Sequence, residues 1–403
     1  MAVVILGTLD TKGTEIAYVR DLLRAGGAET LVIDASVLGE PLFTADVTRE
    51  DLYTASGQPV AGLRAQADRG KAITAAAAGA AKVVARLHAQ GKVDGIIGLG
   101  GSAGTTIGTA AMRSLPYGVP KLIVSTVASG QVQQYVGVRD ICMMYSVTDL
   151  CGLNRFSRQI LANAAHAVLG MVKHPKPIAT SDKPLITATM FGVTTPCVEQ
   201  SKAILEGQDF EVLVFHATGT GGKTMEAMIK DGLIAGVLDI TTTELADELV
   251  GGVFPGGPDR MTAAAIRKVP QVISLGALDM VNFGPPETLP AKFKERRFYQ
   301  HNPTVTLMRT TPEENDLLGK EIAQKACASN GPTAILVPLK GVSAIDRDGG
   351  PFWGPEADEA LFQSIRNWIS PSVQLIELDL HINDPEFAQT AAKTLLKMVG
   401  SRG

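Results

Sequence analysis

One pattern recurs along the whole chain: a short apolar run, a turn rich in glycine, serine or threonine, and then a stretch with helical periodicity. Residues 2–6 (AVVIL) lead into the turn GTLDTKG and a helical stretch, and a second apolar run follows at 29–35. Short buried strands that alternate with helices fold as a parallel sheet with right-handed crossovers. The pattern therefore predicts a doubly wound α/β architecture.

The same plan begins again in the second half of the chain. Residues 185–190 (LITATM) and 211–217 (EVLVFHA) predict the first two strands of a second sheet. Between the halves, residues 172–184 hold three prolines and show no periodicity, which is typical of a linker. Residues 36–68 have no counterpart in the second half, and we interpret them as a flap or as a contact between copies.

These observations give a domain plan. We predict two similar parallel-sheet lobes, at 1–177 and 185–403, joined by a linker at 178–184. The similarity of the two plans indicates an internal duplication, and we expect a cleft between the lobes.

Composition excludes several classes of protein. The net charge is −4 with no basic block, so nucleic acid is not an expected partner. Glycine and polar residues interrupt every apolar run before it could span a membrane. The four cysteines show no paired spacing and no metal-binding motif is present, so we expect a cytoplasmic protein with reduced thiols and no metal centre.

In open α/β sheets, ligands bind beyond the carboxyl ends of the strands. The turns at these ends are small and hydroxyl-bearing here, and they offer backbone N–H groups and helix N-termini to an anion. The candidate cofactor-binding residues are Gly7, Thr8, Asp34, Gly100, Gly101, Ser102, Gly104 and Thr105 in the first lobe, and Thr218, Gly219, Thr220, Gly221 and Gly222 in the second.

The turn in the second lobe has the spacing of a Walker A phosphate loop, from Ala217 to Lys223 and Thr224. A nucleotide-cleaving P-loop enzyme also needs an acidic residue on a neighbouring strand, and Asp239 follows the loop by only about 15 residues. The motif also follows the second strand of its lobe rather than the first. We therefore favour an anion cradle of another kind and keep the P-loop as an alternative.

Five residues are candidates for catalysis because each lies in or near a predicted turn and can exchange a proton or hold a charge. They are His216, Asp10, Lys12, Glu244 and His301. Structural roles compete with each assignment: a solvated turn for Asp10 and Lys12, a satisfied histidine for His216, and a helix cap for Glu244. A G-x-S-x-G match at 100–104, followed by Asp279 and His301, also leaves a serine hydrolase open.

Several long segments, in order along the chain, resemble one family. They are GTLDTKG, GLGGSAGT, STVASG, SVTDLCGLNRFSRQILANAAHAVLGM, MFGVTTPCVE, VFHATGTGGKTMEAM and HNPTVTLMRTT. They are similar to the family of the tomato mosaic virus resistance protein and its bacterial relatives. The resemblance implies two Rossmann-like subdomains, a homodimer and ATP binding, but no reaction. In the plant protein a barrel domain follows this region, and its antiviral action is not carried over to this chain.

The leading hypothesis is a protein that cradles the phosphates of ATP, with or without magnesium, in a cleft between its lobes. The alternative is a catabolic hydrolase or C–C lyase that acts on a carbonyl or carboxylate substrate with His216 as acid or base. A binding or regulatory module is a third possibility, so the sequence leaves open whether the chain is an enzyme.

Overall fold

The computed structural model describes residues 1–66, 68–174 and 183–400. The chain divides into two compact units between residues 178 and 179. Of the predicted linker, residues 178–182 lie outside the described residues, and 183–184 have no regular secondary structure.

The N-terminal lobe is built on a parallel sheet of five strands in the described residues, in the order β2-β1-β3-β4-β5. The strands β1 and β3 are almost entirely buried because helices cover both faces of the sheet, as in doubly wound folds. The strands are β1 (Ala2–Gly7), β2 (Glu29–Asp34), β3 (Gly95–Gly100), β4 (Lys121–Ser125) and β5 (Cys142–Tyr145).

Seven helices of this lobe lie within the described residues. They are α1 (Gly13–Ala25), α2 (Arg49–Ser56), α3 (Val60–Gln66), α4 (Arg69–Ala89), α5 (Ser102–Arg113), α6 (Gln133–Val136) and α7 (Arg155–Lys173). The segment 36–68 contributes α2 and α3, and its residues Leu52, Tyr53 and Leu63 belong to the core on one face of the sheet. In α4, Gly79 allows close contact with α2, since a Cβ there would lie 2.2 Å from the carbonyl oxygen of Leu52.

The C-terminal lobe contains a parallel sheet of six strands in the described residues, in the order β14-β13-β9-β8-β6-β7. Its first five strands along the sheet, counted from β7, repeat the order of the N-terminal sheet, and β14 extends the far edge. The strands are β6 (Leu185–Met190), β7 (Glu211–His216), β8 (Gly236–Thr241), β9 (Gln271–Gly276), β13 (Thr333–Pro338) and β14 (Gln374–Leu378).

A second, antiparallel sheet of this lobe has the order β10-β12-β11. It comprises β10 (Met280–Phe283), β11 (Phe298–Asn302) and β12 (Val305–Arg309). The helices are α8 (Thr195–Glu206), α9 (Thr220–Lys230), α10 (Thr243–Val250), α11 (Ala263–Arg267), α12 (Pro312–Cys327), α13 (Pro355–Trp368) and α14 (Pro385–Gly400). Short 3₁₀ turns occur at Gly192–Thr194, Pro286–Thr288 and Ala291–Phe293.

The predicted fold class, two lobes with Rossmann-like parallel sheets, is confirmed by these two sheets. The cleft expected between the lobes stays a prediction. Within the described parts of the chain, none of the helices has both the length and the apolar character needed to cross a bilayer.

Candidate ligand site in the N-terminal lobe

A cavity of about 570 Å³ opens at the carboxyl end of the N-terminal sheet. Its walls include the turn after β1 and the start of α5, the helix that follows β3. The strands β1 and β3 are neighbours in the sheet. The chain passes from β1 outward to β2 and then returns to the other side of β1 with β3, so this is the topological switch point. Ligands of open α/β sheets bind at such points, and pockets of this volume hold small molecules.

The start of α5 offers free backbone donors to the cavity. Gly101 is the N-cap residue of this helix, and no side chain caps the exposed amides. Gly100, Gly101, Ser102 and Gly104, all predicted cofactor-binding residues, line the cavity here. An uncapped helix N-terminus with its positive dipole end is suited to an anion such as phosphate.

The glycines of this turn permit close packing of the backbone. A Cβ at Gly100 would lie 2.6 Å from the Cα of Gly104, and one at Gly104 would lie 3.0 Å from the carbonyl oxygen of Leu99. Gly101, by contrast, has room, since the nearest atom to a Cβ there is the hydroxyl of Thr126 at 3.6 Å. Steric need therefore accounts for Gly100 and Gly104 but not for Gly101.

Two cations line the same cavity, Lys12 after β1 and Arg69 at the start of α4. The ammonium of Lys12 donates a hydrogen bond to the carbonyl oxygen of Leu150. Arg69 is exposed and occupies the first residue of its helix, where a positive charge is unfavourable because the helix dipole is also positive there. An anion bound in the cavity would relieve that repulsion.

Three carboxylates also line the cavity: Asp10, Asp68 and Asp149. The Asp10 carboxylate accepts a hydrogen bond from the backbone of Gly39 at 3.1 Å, and Asp68 caps the start of α4. Near Asp149 the backbone is strained, because the β-branched Val147 adopts a φ of 64°. Strain of this kind is concentrated at functional sites.

The remaining wall of the cavity is apolar. Its side chains come from the turn after β2, from α2 and α3 of the inserted segment, and from α4 and α5. They are Ala35, Val37, Leu38, Tyr53, Leu63, Ala72, Ile73 and Ile107. With the exception of Leu38 and Ala72, these residues belong to or pack against one continuous core cluster that also includes the buried face of α4. The inserted segment thus completes the cavity.

The other predicted residues of this lobe are arranged around the site. Thr8 lines the cavity, and its hydroxyl contacts that of Thr11 at 2.8 Å. Asp34 is buried and accepts hydrogen bonds from the backbone N–H groups of Leu9 and Ser36, so it fixes the turn after β1. Gly7 and Thr105 are also buried; the Thr105 hydroxyl donates to the carbonyl of Gly101 and thereby orders the start of α5.

The Walker-like loop of the C-terminal lobe already holds an anion, the side chain of Glu244. One carboxylate oxygen of Glu244 accepts from the backbone N–H of Gly219 at 2.6 Å and of Gly222 at 3.0 Å. The other accepts from Nε of Arg260 at 2.7 Å, and the same guanidinium contacts Asp239 at 2.5 and 2.6 Å. Glu244 and Arg260 are both fully buried. Asp239, considered above as the acidic residue of a P-loop enzyme, therefore binds an arginine.

The glycines of that loop are explained by this packing. A Cβ at Gly222 would lie 2.0 Å from Glu244, a Cβ at Gly221 would lie 1.9 Å from the carbonyl oxygen of His216, and Gly219 has a φ of 77°. Thr218 is half-buried, and Thr220 and Lys223 are exposed. The amides of Gly219 and Gly222 are occupied by the carboxylate of Glu244. The role of Thr218–Gly222 in cofactor binding stays a prediction.

The two candidate catalytic histidines are both exposed. His216 ends β7, and its ring contacts that of Phe191 edge-on, with 5.3 Å between the centroids. His301 lies in β11, one of the two edge strands of the antiparallel sheet. Asp279, the acid of the serine-hydrolase alternative, is buried and accepts from the hydroxyl of Ser343 at 2.8 Å. Ser102 lies in the N-terminal lobe, whereas Asp279 and His301 lie in the C-terminal lobe. Hydrolase or lyase activity stays a prediction.

Sequence reasoning missed Arg69, Asp149 and the apolar wall. The inserted segment was interpreted as a flap or a contact between copies, so its residues were not considered as part of a site. The arginine at the first position of a helix, directly after the N-cap Asp68, is a signal that could have pointed to an anion.

The fold and this site define a class: a two-lobed α/β protein with Rossmann-like parallel sheets and a cavity at the switch point of the first. The chain belongs to the family described as Uncharacterised protein family (UPF0261). The model of the family's N-terminal domain matches residues 1–177, and that of its C-terminal domain matches residues 183–399.

Proteins of bacteria and of a plant are similar to this chain in sequence. A UPF0261 protein of Clostridium tetani is 50% identical, and the match covers 98% of each chain. The ToMV resistance protein Tm-1(GCR237) of Solanum lycopersicum is 45% identical over 75% of this chain and 41% of its own length. The ToMV susceptible protein tm-1(GCR26) of the same plant is 43% identical over 83% of this chain and 45% of its own. The resemblance to this family, predicted from the sequence segments, is confirmed.

Among solved structures, a putative UDP-N-acetylglucosamine 2-epimerase from Listeria monocytogenes is 11% identical and covers 91% of this chain and 92% of its own, with a TM-score of 0.24. A TM-score of this size supports no conclusion about the ligand of this chain.

Proposed function

We propose that the N-terminal lobe binds ATP, as its magnesium complex, in the cavity at the carboxyl end of β1 and β3. The observation that carries this proposal is the uncapped, glycine-rich start of α5, which opens into a 570 Å³ cavity that Lys12 and Arg69 also line. The phosphates would lie against the amides of α5 and between these two cations. The choice of ATP among phosphorylated ligands rests on the resemblance to the family.

Magnesium enters the proposal through charge. Three acidic and two basic side chains line the cavity, so a bare triphosphate would be repelled by the excess carboxylate. Among the described residues, no group of three or more His, Cys, Asp or Glu side chains is arranged to hold a metal ion by itself. Magnesium in nucleotide sites is commonly held by one or two carboxylates together with the phosphates, and Asp10 and Asp149 could supply them.

The test is calorimetric titration of the purified protein with ATP, with and without magnesium. The variants Lys12→Ala and Arg69→Ala each remove a charge-assisted contact worth about 1.5–3 kcal/mol, so we expect affinity to fall by about 10- to 100-fold. Chelation of magnesium should also lower the affinity of the wild type for ATP.

The matched control is Lys223→Ala, which removes the lysine of the Walker-like loop. We expect its affinity for ATP to equal that of the wild type, because the amides of Gly219 and Gly222 are occupied by Glu244. Loss of binding in Lys223→Ala, together with normal binding in Lys12→Ala and Arg69→Ala, would move the site to the C-terminal lobe and refute the proposal. The homodimer and the cytoplasmic location stay predictions.

A further inference from the structure

The apolar wall of the cavity contains an exposed leucine, and this feature bears on which part of a ligand the site recognises. Leu38 is 77% exposed, yet it lines the cavity. Its neighbours in the wall, among them Leu63 and Ile107, are buried in the core. A ligand that covers a large apolar side chain at the mouth of a cavity removes it from water, and this burial favours binding.

The loop that carries Leu38 is held in place from several sides. The N–H of Gly39 donates to Asp10 at 3.1 Å, the N–H of Leu42 donates to the carbonyl of Leu9 at 3.1 Å, and Arg49 contacts the carbonyl of Gly39. Its position beside the turn after β1 is therefore fixed before any ligand binds. A contact made by Leu38 with a ligand is thus preorganised.

Among the side chains that form this apolar wall, Tyr53 alone carries a polar atom. The hydroxyl of Tyr53 is directed at the carbonyl oxygen of Ala35, at 3.5 Å. Arg64 does not line the cavity; its Nε donates to the carbonyl of Val37, and its Nη2 is buried without a partner among the described residues. The N–H and the hydroxyl of Ser36 both donate to Asp34, at 2.9 and 2.8 Å. The wall therefore presents apolar surface, and its one side-chain hydroxyl, that of Tyr53, is already directed at a backbone carbonyl.

We propose that the cavity recognises the base of a nucleotide by contact between its flat face and the apolar wall, including Leu38. We also propose that it does not distinguish adenine from guanine. This inference rests on the proposed function and deepens it. Strong discrimination between bases requires hydrogen bonds that the wrong base leaves unpaired, and the wall offers contact area instead. The ligand class is a nucleoside triphosphate, selected over ligands that carry phosphates alone.

The experiment is calorimetric titration of the full-length protein with magnesium complexes of ATP, GTP and tripolyphosphate. We expect ATP and GTP to bind within about 3-fold of each other, and tripolyphosphate to bind at least about 10-fold more weakly. Leu38→Ala should weaken both nucleotides about 5-fold or more and leave tripolyphosphate unchanged, because only the nucleotides reach the apolar wall.

Leu42→Ala is the matched control. Leu42 lies in the same loop and is 62% exposed, but it does not line the cavity, so its variant should bind all three ligands like the wild type. Binding of ATP that is more than about 30-fold tighter than that of GTP would overturn the inference and leave the proposed function standing. Equal binding of tripolyphosphate and ATP would overturn it in the same way. If none of the three ligands binds, the proposed function itself fails.

Discussion

At the scale of single residues, similar glycine-rich turns serve different purposes in the two lobes. Gly222 is required because the carboxylate of Glu244 lies where its Cβ would be, whereas a Cβ at Gly101 would make only an ordinary contact with Thr126. The glycines of the Walker-like loop are therefore accounted for by internal packing. A short motif predicts a phosphate site only if its amides are free, and the amides of Gly219 and Gly222 bind Glu244.

A buried carboxyl group in the C-terminal lobe makes stability depend on pH. Burial raises the pKa of Asp247 to about 7 from an ordinary value of 3.8, although hydrogen bonds from Asn282 and Phe254 oppose the shift. The amide of Asn282 donates to Asp247 at 2.7 Å, while the oxygen of the same amide is buried without a partner among the described residues. A protonated Asp247 could donate to that oxygen after the amide rotates.

The folded state therefore binds this proton more tightly than the unfolded chain does. The stabilising contribution is complete below pH 4 and is lost as pH rises through about 7. As the pH rises from 5 to 8, we expect the free energy of unfolding of Asp247→Asn to rise by about 3 kcal/mol relative to that of the wild type. Urea unfolding followed by tryptophan fluorescence measures this lobe alone, because both tryptophans, Trp353 and Trp368, lie in it.

The control for this measurement is Asp348→Asn, which changes an exposed carboxylate of the same lobe. Its free energy of unfolding should follow the wild type at every pH. A difference between Asp247→Asn and the wild type that is equal at pH 5 and pH 8 would show that Asp247 is ionised throughout this range.

At the scale of secondary-structure elements, α5 and α10 occupy equivalent places, since each follows the third strand of its sheet. Gly101 and Thr242 are the N-caps, so Ala103 and Glu244 hold the same position, two residues into the helix. Glu244 reaches the loop after β7 and fills the space between that loop and its own helix. The small Ala103 lines the cavity in the corresponding space of the N-terminal lobe.

This comparison predicts the effect of Ala103→Glu. A carboxylate at this position should take the place of the ligand's anion, and ATP affinity should fall by at least about 10-fold. The lobe should stay folded because a negative charge in the first turn of a helix is favourable. Calorimetric titration and thermal unfolding measure the two effects.

Ala103→Gln is the companion variant, since it adds nearly the same volume without the charge. It should weaken ATP binding less than Ala103→Glu does. Equal losses in the two variants would mean that volume, rather than charge, blocks the site. Normal affinity in Ala103→Glu would contradict the placement of the phosphates at the start of α5.

At the scale of the whole molecule, each lobe has its own parallel sheet and its own core. Val4, Ile33 and Ile96 belong to a core cluster on one face of the N-terminal sheet, and Val3, Ile5 and Ile97 belong to a second one on the other face. The residues that line the cavity all lie between Thr8 and Asp149. The N-terminal lobe therefore contains every described element of the proposed site.

We predict that a chain of residues 1–177 folds and binds ATP with the affinity of the full-length protein. A chain of residues 185–403 should show no ATP binding by the same titration. Circular dichroism and a cooperative thermal transition would establish that each piece is folded. Binding by the second chain, or a folded first chain without binding, would contradict a site confined to the N-terminal lobe.

The sequence by itself determined the alternation of strands and helices from which the two parallel sheets are built. Apolar runs that alternate with helices predicted both parallel sheets, because a strand buried on two faces needs a continuous apolar segment. It also brought Thr8, Lys12 and the glycines after β3 to one edge, because the carboxyl ends of parallel strands meet there.

Only the tertiary structure decided which glycine-rich turn is open. Glu244 fills the loop at 219–222 from 22 residues away in the chain, and Arg260, another 16 residues further on, neutralises it. The segment 36–68, which has no clear pattern of its own, supplies the apolar wall of the cavity. Contacts between residues distant in sequence depend on packing in three dimensions, and local periodicity does not predict them.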